Sequence, residues 1–109
     1  MTTYLITRHP GAVEWVLRQG VSADAVLTHL DPSRIQAGDT VIGTLPVHLA
    51  AAVCARGAKF VSLTLDLPPA LRGRELKVDD LEACGARLEA FVVHAEHACD
   101  QIYCVRAHG

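Results

Sequence analysis

The chain has 109 residues, 50% of them hydrophobic, and a formal net charge of −2. That length holds one domain with a real but small core. The near-neutral balance gives no electrostatic footprint for duplex DNA, so a phosphate ligand would need a local cluster of donors. No apolar run approaches the roughly 18 residues of a membrane span. The stretch Met1 to Pro10 lacks the charged and apolar regions of a signal peptide. Cys54, Cys84, Cys99 and Cys104 are therefore read as reduced thiols of a cytoplasmic protein and not as a disulfide framework.

Thr2 to Thr7 is rich in β-formers and predicts the first strand. Arg8-His9-Pro10-Gly11 ends it, and a helix follows from about Ala12 to Gln19, with Val13, Trp15 and Val16 inward and Gly20 as its stop. Ala25 to Leu30 predicts a second strand, followed by a turn at Asp31-Pro32-Ser33-Arg34. The link onward to Gly38-Asp39 is short for a parallel crossover. The second strand is thus either an edge strand returning by an extended loop, or antiparallel.

Thr40-Val41-Ile42 is a β-branched run suited to a buried parallel strand. Gly43-Thr44-Leu45-Pro46 breaks it, with Pro46 expected at the first position of a helix over Val47 to Arg56 that Gly57 stops. Lys59 to Leu65 alternates, Phe60, Ser62 and Thr64 on one face and Val61, Leu63 and Leu65 on the other. Asp66-Leu67-Pro68-Pro69 ends that strand. A loop over Ala70 to Leu76 carries Arg72 and Arg74, and a helix from about Val78 to Cys84 follows. Asp79, Asp80 and Glu82 favour that helix's positive end, and Gly85 closes it. Leu88 to Val93 predicts a fifth strand, and from Ala95 onward the pattern fits a short helix or strand.

Strand, turn and proline-led helix occur twice, after Thr7 and after Ile42. The sum is an α/β, Rossmann-like three-layer domain with a mostly parallel sheet of about five strands. Both turns then fall at the carboxyl edge of the sheet, where open α/β folds bind ligands. Their unpaired backbone N–H groups favour an anion.

Three motifs carry a resemblance over about residues 2 to 94: Thr7-Arg8-His9-Pro10-Gly11-Ala12 with Trp15; Gly38 through Pro46; and Asp66-Leu67-Pro68 with Leu71 through Leu76. Together they resemble the short stand-alone CRISPR-associated proteins of type III systems, related to the CARF (CRISPR-associated Rossmann fold) ring nucleases. Lys77 departs from that pattern, where a Ser-like N-cap is expected. The resemblance implies a homodimer that binds cyclic oligoadenylate, the second messenger of type III immunity. It further implies that the ring is linearised to switch the response off, with a leaning toward the tetra-adenylate.

Such a ring can be cut without metal, and no cofactor is expected. The ribose 2′-OH attacks the adjacent phosphorus and leaves a 2′,3′-cyclic phosphate and a free 5′-OH. The protein must hold that attack in line and neutralise charge on the phosphoryl oxygens. Arg8 suits bidentate phosphate binding, and His9 and His48 suit proton movement near neutral pH. Gly11, Thr44 and the Gly43–Leu45 amides can cradle a phosphate beside Pro46. Arg72 and Arg74 add charge from the loop, and Asp66 fits only if it orients an arginine.

Each of these residues has a plainer role open to it. Arg8 can pair with a surface carboxylate, His9 can be a turn residue before proline, and Thr44 can cap a helix. His48 can be a satisfied polar side chain, and Arg72 and Arg74 a solvated loop. Two other functions share the fold: a module that binds the ring without cutting it, and a structural subunit with no ligand. His94, His97, Cys99, Cys104 and His108 include zinc-ligand types, but no CxxC pair or finger spacing organises them. The glycines near Gly43 do not form GxGxxG, so a dinucleotide site is not supported.

Overall fold

Val41 and Ile42 are neighbours in sequence and both are buried, yet they pack into different cores. A strand's side chains alternate between the two faces of its sheet, so both faces here must be covered. The computed structural model, which describes residues 1–96, shows how. The elements run β1 (Thr3–Ile6), α1 (Pro10–Arg18), β2 (Ala25–Leu27), a 3₁₀ turn at Pro32–Arg34, β3 (Thr40–Gly43) and α2 (Val47–Ala55). They continue with β4 (Lys59–Thr64), a 3₁₀ turn at Pro69–Leu71, α3 (Val78–Ala83) and β5 (Arg87–Phe91). The sheet order is β2-β1-β3-β4-β5, with the first four strands parallel and β5 antiparallel to β4. It is the expected α/β architecture with a mostly parallel, Rossmann-like sheet.

One face packs Leu5, Ile42 and Leu63 beneath Trp15 and Val16 of α1 and Leu81 of α3. The other packs Ile6, Val41 and Phe60 beneath Ala50 and Val53 of α2, together with Ile35. Leu5, Val16, Ile35, Val41, Val53 and Leu81 are the largest fully buried side chains, each worth roughly 1.5–3 kcal/mol of burial. The alternation read in β4 holds, since Phe60 joins one core while Val61, Leu63 and Leu65 join the other.

Strand β2 is an edge strand parallel to β1, which decides between the two readings of that segment. It is shorter than expected, because residues 28–39 must return to the amino end of β3 across β1. An extended loop does this in place of a helix. Asp31 braces it by accepting the Ser33 N–H at 3.0 Å and the Ser33 hydroxyl at 2.7 Å, and Ile35 plugs it into the core. Helix α1 starts at Pro10, earlier than expected, with proline in its first turn, where the missing N–H costs nothing. Pro46 is the N-cap of α2 and not its first residue; its ψ of 149° is extended, so the helix begins at Val47.

At the amino edge of the parallel strands, Asp39 is buried with both carboxylate oxygens engaged. Oδ2 accepts the Gln36 N–H and Oδ1 the Thr2 N–H, each at 2.9 Å. The Gln36 amide foremost, and then that of Thr2, hold the carboxyl below the usual carboxylate range. Thr40 N–H donates to the Thr2 carbonyl and Lys59 N–H to the Asp39 carbonyl, which closes that edge.

Residues 97–109 lie outside the described part. The expected short element there, and His97, Cys99, Cys104 and His108 as zinc-ligand types, lie outside it too.

Candidate functional site

Four parallel strands bring four chain reversals to one edge. Thr7, Arg8 and His9 follow β1, Thr28 follows β2, Thr44 follows β3, and Leu65 and Leu67 follow β4. Arg8, His9, Thr28 and Thr44 line one cavity of about 340 Å³, whose apolar floor includes Ile6, Leu63 and Leu81. Arg8 and His9 also line a second cleft of about 500 Å³, walled on its far side by Leu71, Gly73, Arg74 and Glu75. The adjacent pair Arg8–His9 thus stands between a largely apolar slot and a charged cleft. The positive end of α1 begins immediately beyond it.

The Arg8 side chain is exposed, and its neighbour is held from two sides. The His9 backbone N–H donates to the Thr7 hydroxyl at 3.1 Å, and its Nδ1 accepts the Leu76 N–H at 3.2 Å. Among the described residues, no carboxylate pairs with Arg8, Arg72 or Arg74; the ion pairs there join Arg18 to Glu14 and Arg87 to Asp66 and Glu89.

Two glycines make the edge possible by their lack of a side chain. A Cβ on Gly43 would come 2.6 Å from the Ile6 carbonyl oxygen, so β3 can end flush against β1 only with glycine there. A Cβ on Gly11 would stand 2.5 Å from the Leu76 carbonyl oxygen and from the Lys77 carbonyl carbon. Gly11 is therefore buried beneath the 76–77 backbone, which straps across the start of α1. Thr44 does not cap α2. Its hydroxyl donates to the Leu63 carbonyl at 2.8 Å and ties the end of β3 to β4.

The other expected residues are placed as follows. Arg74 faces the charged cleft with Arg8, whereas Arg72 is exposed and lines neither cavity. His48 is exposed on the first turn of α2 and also lines neither. Leu45 packs against the α2-side core. Asp66 turns away toward Arg87 at 3.5 Å, so the arginine it meets lies on β5 and not in the cleft. Where a Ser-like cap was expected, Lys77 has no accepting side chain; Asp80 Oδ2 accepts its backbone N–H at 2.9 Å instead.

Sequence reasoning missed Thr28 and Leu76. A strand expected to run from Ala25 to Leu30 holds Thr28 inside it, with its direction open; a parallel β2 that ends at Leu27 brings Thr28 to this edge. The Leu76 contribution is a backbone amide, which no residue type reveals. Among the described residues no three of His, Cys, Asp and Glu cluster as metal ligands, and no helix is long and apolar enough to cross a membrane.

Fold and site together define an α/β protein with a doubly covered parallel sheet and a donor-rich carboxyl edge. The sequence profile of a putative CRISPR-associated protein family, Cas_VVA1548, matches residues 4–94, and the chain belongs to that family. The match runs from within β1 to beyond β5 and includes every residue of the two clefts. No curated protein and no solved structure matches the chain.

Proposed function

We propose that this CRISPR-associated protein is a ring nuclease: it binds cyclic oligoadenylate, with cyclic tetra-adenylate as the leading candidate, and linearises it without metal. The observation that carries this reading is the pair Arg8–His9, set between both clefts with Arg74 opposite and, among the described residues, no carboxylate ion-paired to either arginine, although Glu75 lines the same cleft. A cluster of unpaired donors at the carboxyl edge of a parallel sheet is what a phosphodiester requires.

In the proposed step the ribose 2′-oxygen forms a bond to phosphorus as the bond to the 5′-oxygen breaks. The 2′-hydroxyl proton is lost, the 5′-oxygen gains one, and the product ends in a 2′,3′-cyclic phosphate. Arg8 and Arg74 take the non-bridging oxygens, and most of the rate comes from holding the attack in line. One chain offers one edge. A two-fold homodimer in the cytoplasm would present two copies to a ring whose own symmetry is compatible with that axis.

A binding module that sequesters the ring uncut is the second reading, and a specific observation favours it. The Nδ1 lone pair of His9 is occupied by Leu76 N–H, and His48 lines neither cleft, so among the described residues neither of the two expected bases offers a free imidazole lone pair to the site. Incubation with radiolabelled cyclic tetra-adenylate in EDTA, followed by chromatography, separates the two. Ring nuclease activity gives a linear product bearing a 2′,3′-cyclic phosphate. Intact ring that co-elutes with the protein supports the binding module, and a requirement for added metal contradicts the mechanism.

A further inference from the structure

We infer that the backbone N–H of Leu76 locks the His9 imidazole in the tautomer that carries its proton on Nε2, so that His9 meets a bound phosphate as a hydrogen-bond donor and not as a base. A backbone amide can only donate, so the 3.2 Å contact requires a lone pair on Nδ1. The neutral ring then has its one N–H at Nε2, and among the described residues that nitrogen has no hydrogen-bond partner. The tautomer is decided by a backbone group that cannot itself change protonation state.

The amide is held firmly. The Leu76 side chain is buried in the same core as Trp15 and Leu81. Its carbonyl rests on Gly11, where a Cβ would intrude to 2.5 Å. Leu76 and Gly11 are thus positioning residues, acting through His9 and not on the ligand. The outcome is that two residues next to each other in sequence, both lining the same two clefts, each bring a donor, the Arg8 guanidinium and the His9 Nε2–H. That arrangement matches the unprotonated oxygens of a phosphodiester.

This inference deepens the ring-cleavage reading and rests on it for the identity of the phosphate. When the 2′-oxygen attacks and the bond to the 5′-oxygen breaks, Nε2–H donates to a phosphoryl oxygen throughout. His9 carries no net proton in that step; a neutral imidazole serves as the electrophilic partner.

Two measurements on the full chain test it. The first is a two-bond ¹H–¹⁵N correlation spectrum of histidine-labelled free protein near neutral pH, with His9 assigned by substitution. The inference expects the Nε2–H pattern, and the Nδ1–H pattern or an averaged mixture overturns it. No ring is present, so this result stands or falls apart from the ring-nuclease reading, which fails separately if wild type neither binds nor cuts.

The second compares two isosteric variants. In His9→Gln the amide N–H reaches toward the position of Nε2, whereas in His9→Asn the carbonyl reaches toward that of Nδ1. A donor role predicts that Gln loses no more than about tenfold in single-turnover rate, while Asn loses about a hundredfold, as His9→Ala does. A purely structural strap contact predicts the reverse, with Asn rescuing and Gln failing, and that order would overturn the assignment.

Discussion

The two ends of the same four parallel strands are built on opposite terms. At the amino end, the Asp39 carboxylate is buried and both its oxygens are filled by the amides of Gln36 and Thr2, while Thr40 and Lys59 complete the closure through the main chain. At the carboxyl end, among the described residues, Arg8 and Arg74 line a cleft with Glu75 but ion-pair with no carboxylate, and the His9 ring leaves Nε2 without a partner. An edge whose polar groups are satisfied internally stabilises the fold. One with surplus donors at the carboxyl ends of parallel strands is where such folds bind ligands. On the proposed function, stability belongs to one edge and ligand chemistry to the other, and substitutions at the two ends should then separate accordingly.

The largest expected effect is at Arg8. Arg8→Ala should slow single-turnover ring cleavage by two to three orders of magnitude, about 3–4 kcal/mol of barrier, as for a lost oxyanion donor. Its thermal midpoint should match wild type, because the side chain is exposed and makes no ion pair among the described residues. A fall in binding equal to the fall in rate would make Arg8 a clamp only.

Asp39→Asn should behave in the opposite way, lowering the thermal midpoint while sparing the rate of whatever remains folded. Asn offers one accepting oxygen where two amide donors need one each. The carboxyl of Asp39 is depressed in the folded state, so its contribution is present above the ordinary carboxylate value and is lost as pH falls through the depressed one. Denaturation midpoints measured across pH should show the gap between wild type and variant closing below about pH 4.

Gly11→Ala tests the strap. The added methyl would meet Leu76 and Lys77 backbone at 2.5 Å, so overpacking should cost about 1–3 kcal/mol of stability in urea denaturation. It should also lower cleavage, since it moves the amide that holds His9. Thr44→Val removes the hydroxyl that donates to the Leu63 carbonyl and should cost about 1 kcal/mol in the same assay. The smallest effect is expected for His48→Ala, on an exposed turn outside both cavities, with stability within about 0.5 kcal/mol of wild type and a rate change of no more than a few fold.

What could be read from the residues alone follows the same division. Val41 and Ile42, the alternation from Phe60 to Leu65 and the Trp15–Val16 face carry their partners in their own periodicity, and these elements formed as expected. The repeated strand, turn and proline-led helix placed Arg8 and Thr44 on one edge, and both line one cavity. The direction of β2 was not legible, because residues 28–39 return without a helix and so give no crossover pattern. Thr28, expected inside that strand, stands just beyond its end. Contacts between distant segments left no local trace: His9 and Leu76 are 67 residues apart, and Asp66 finds Arg87 on the antiparallel strand. Gly11 drew notice for its place in a turn motif, yet the strap fills the space above it.

Hydrogen–deuterium exchange with and without cyclic tetra-adenylate, on the Arg8→Ala variant so that the ring survives, tests the contrast between the two edges most directly. The ring should protect backbone amides at residues 7–12, 43–45 and 71–77 and leave those of Gln36 through Thr40 unchanged. Protection centred on residues 36–40, with the 7–12 and 71–77 segments unaffected, would contradict the assignment of ligand chemistry to the carboxyl edge.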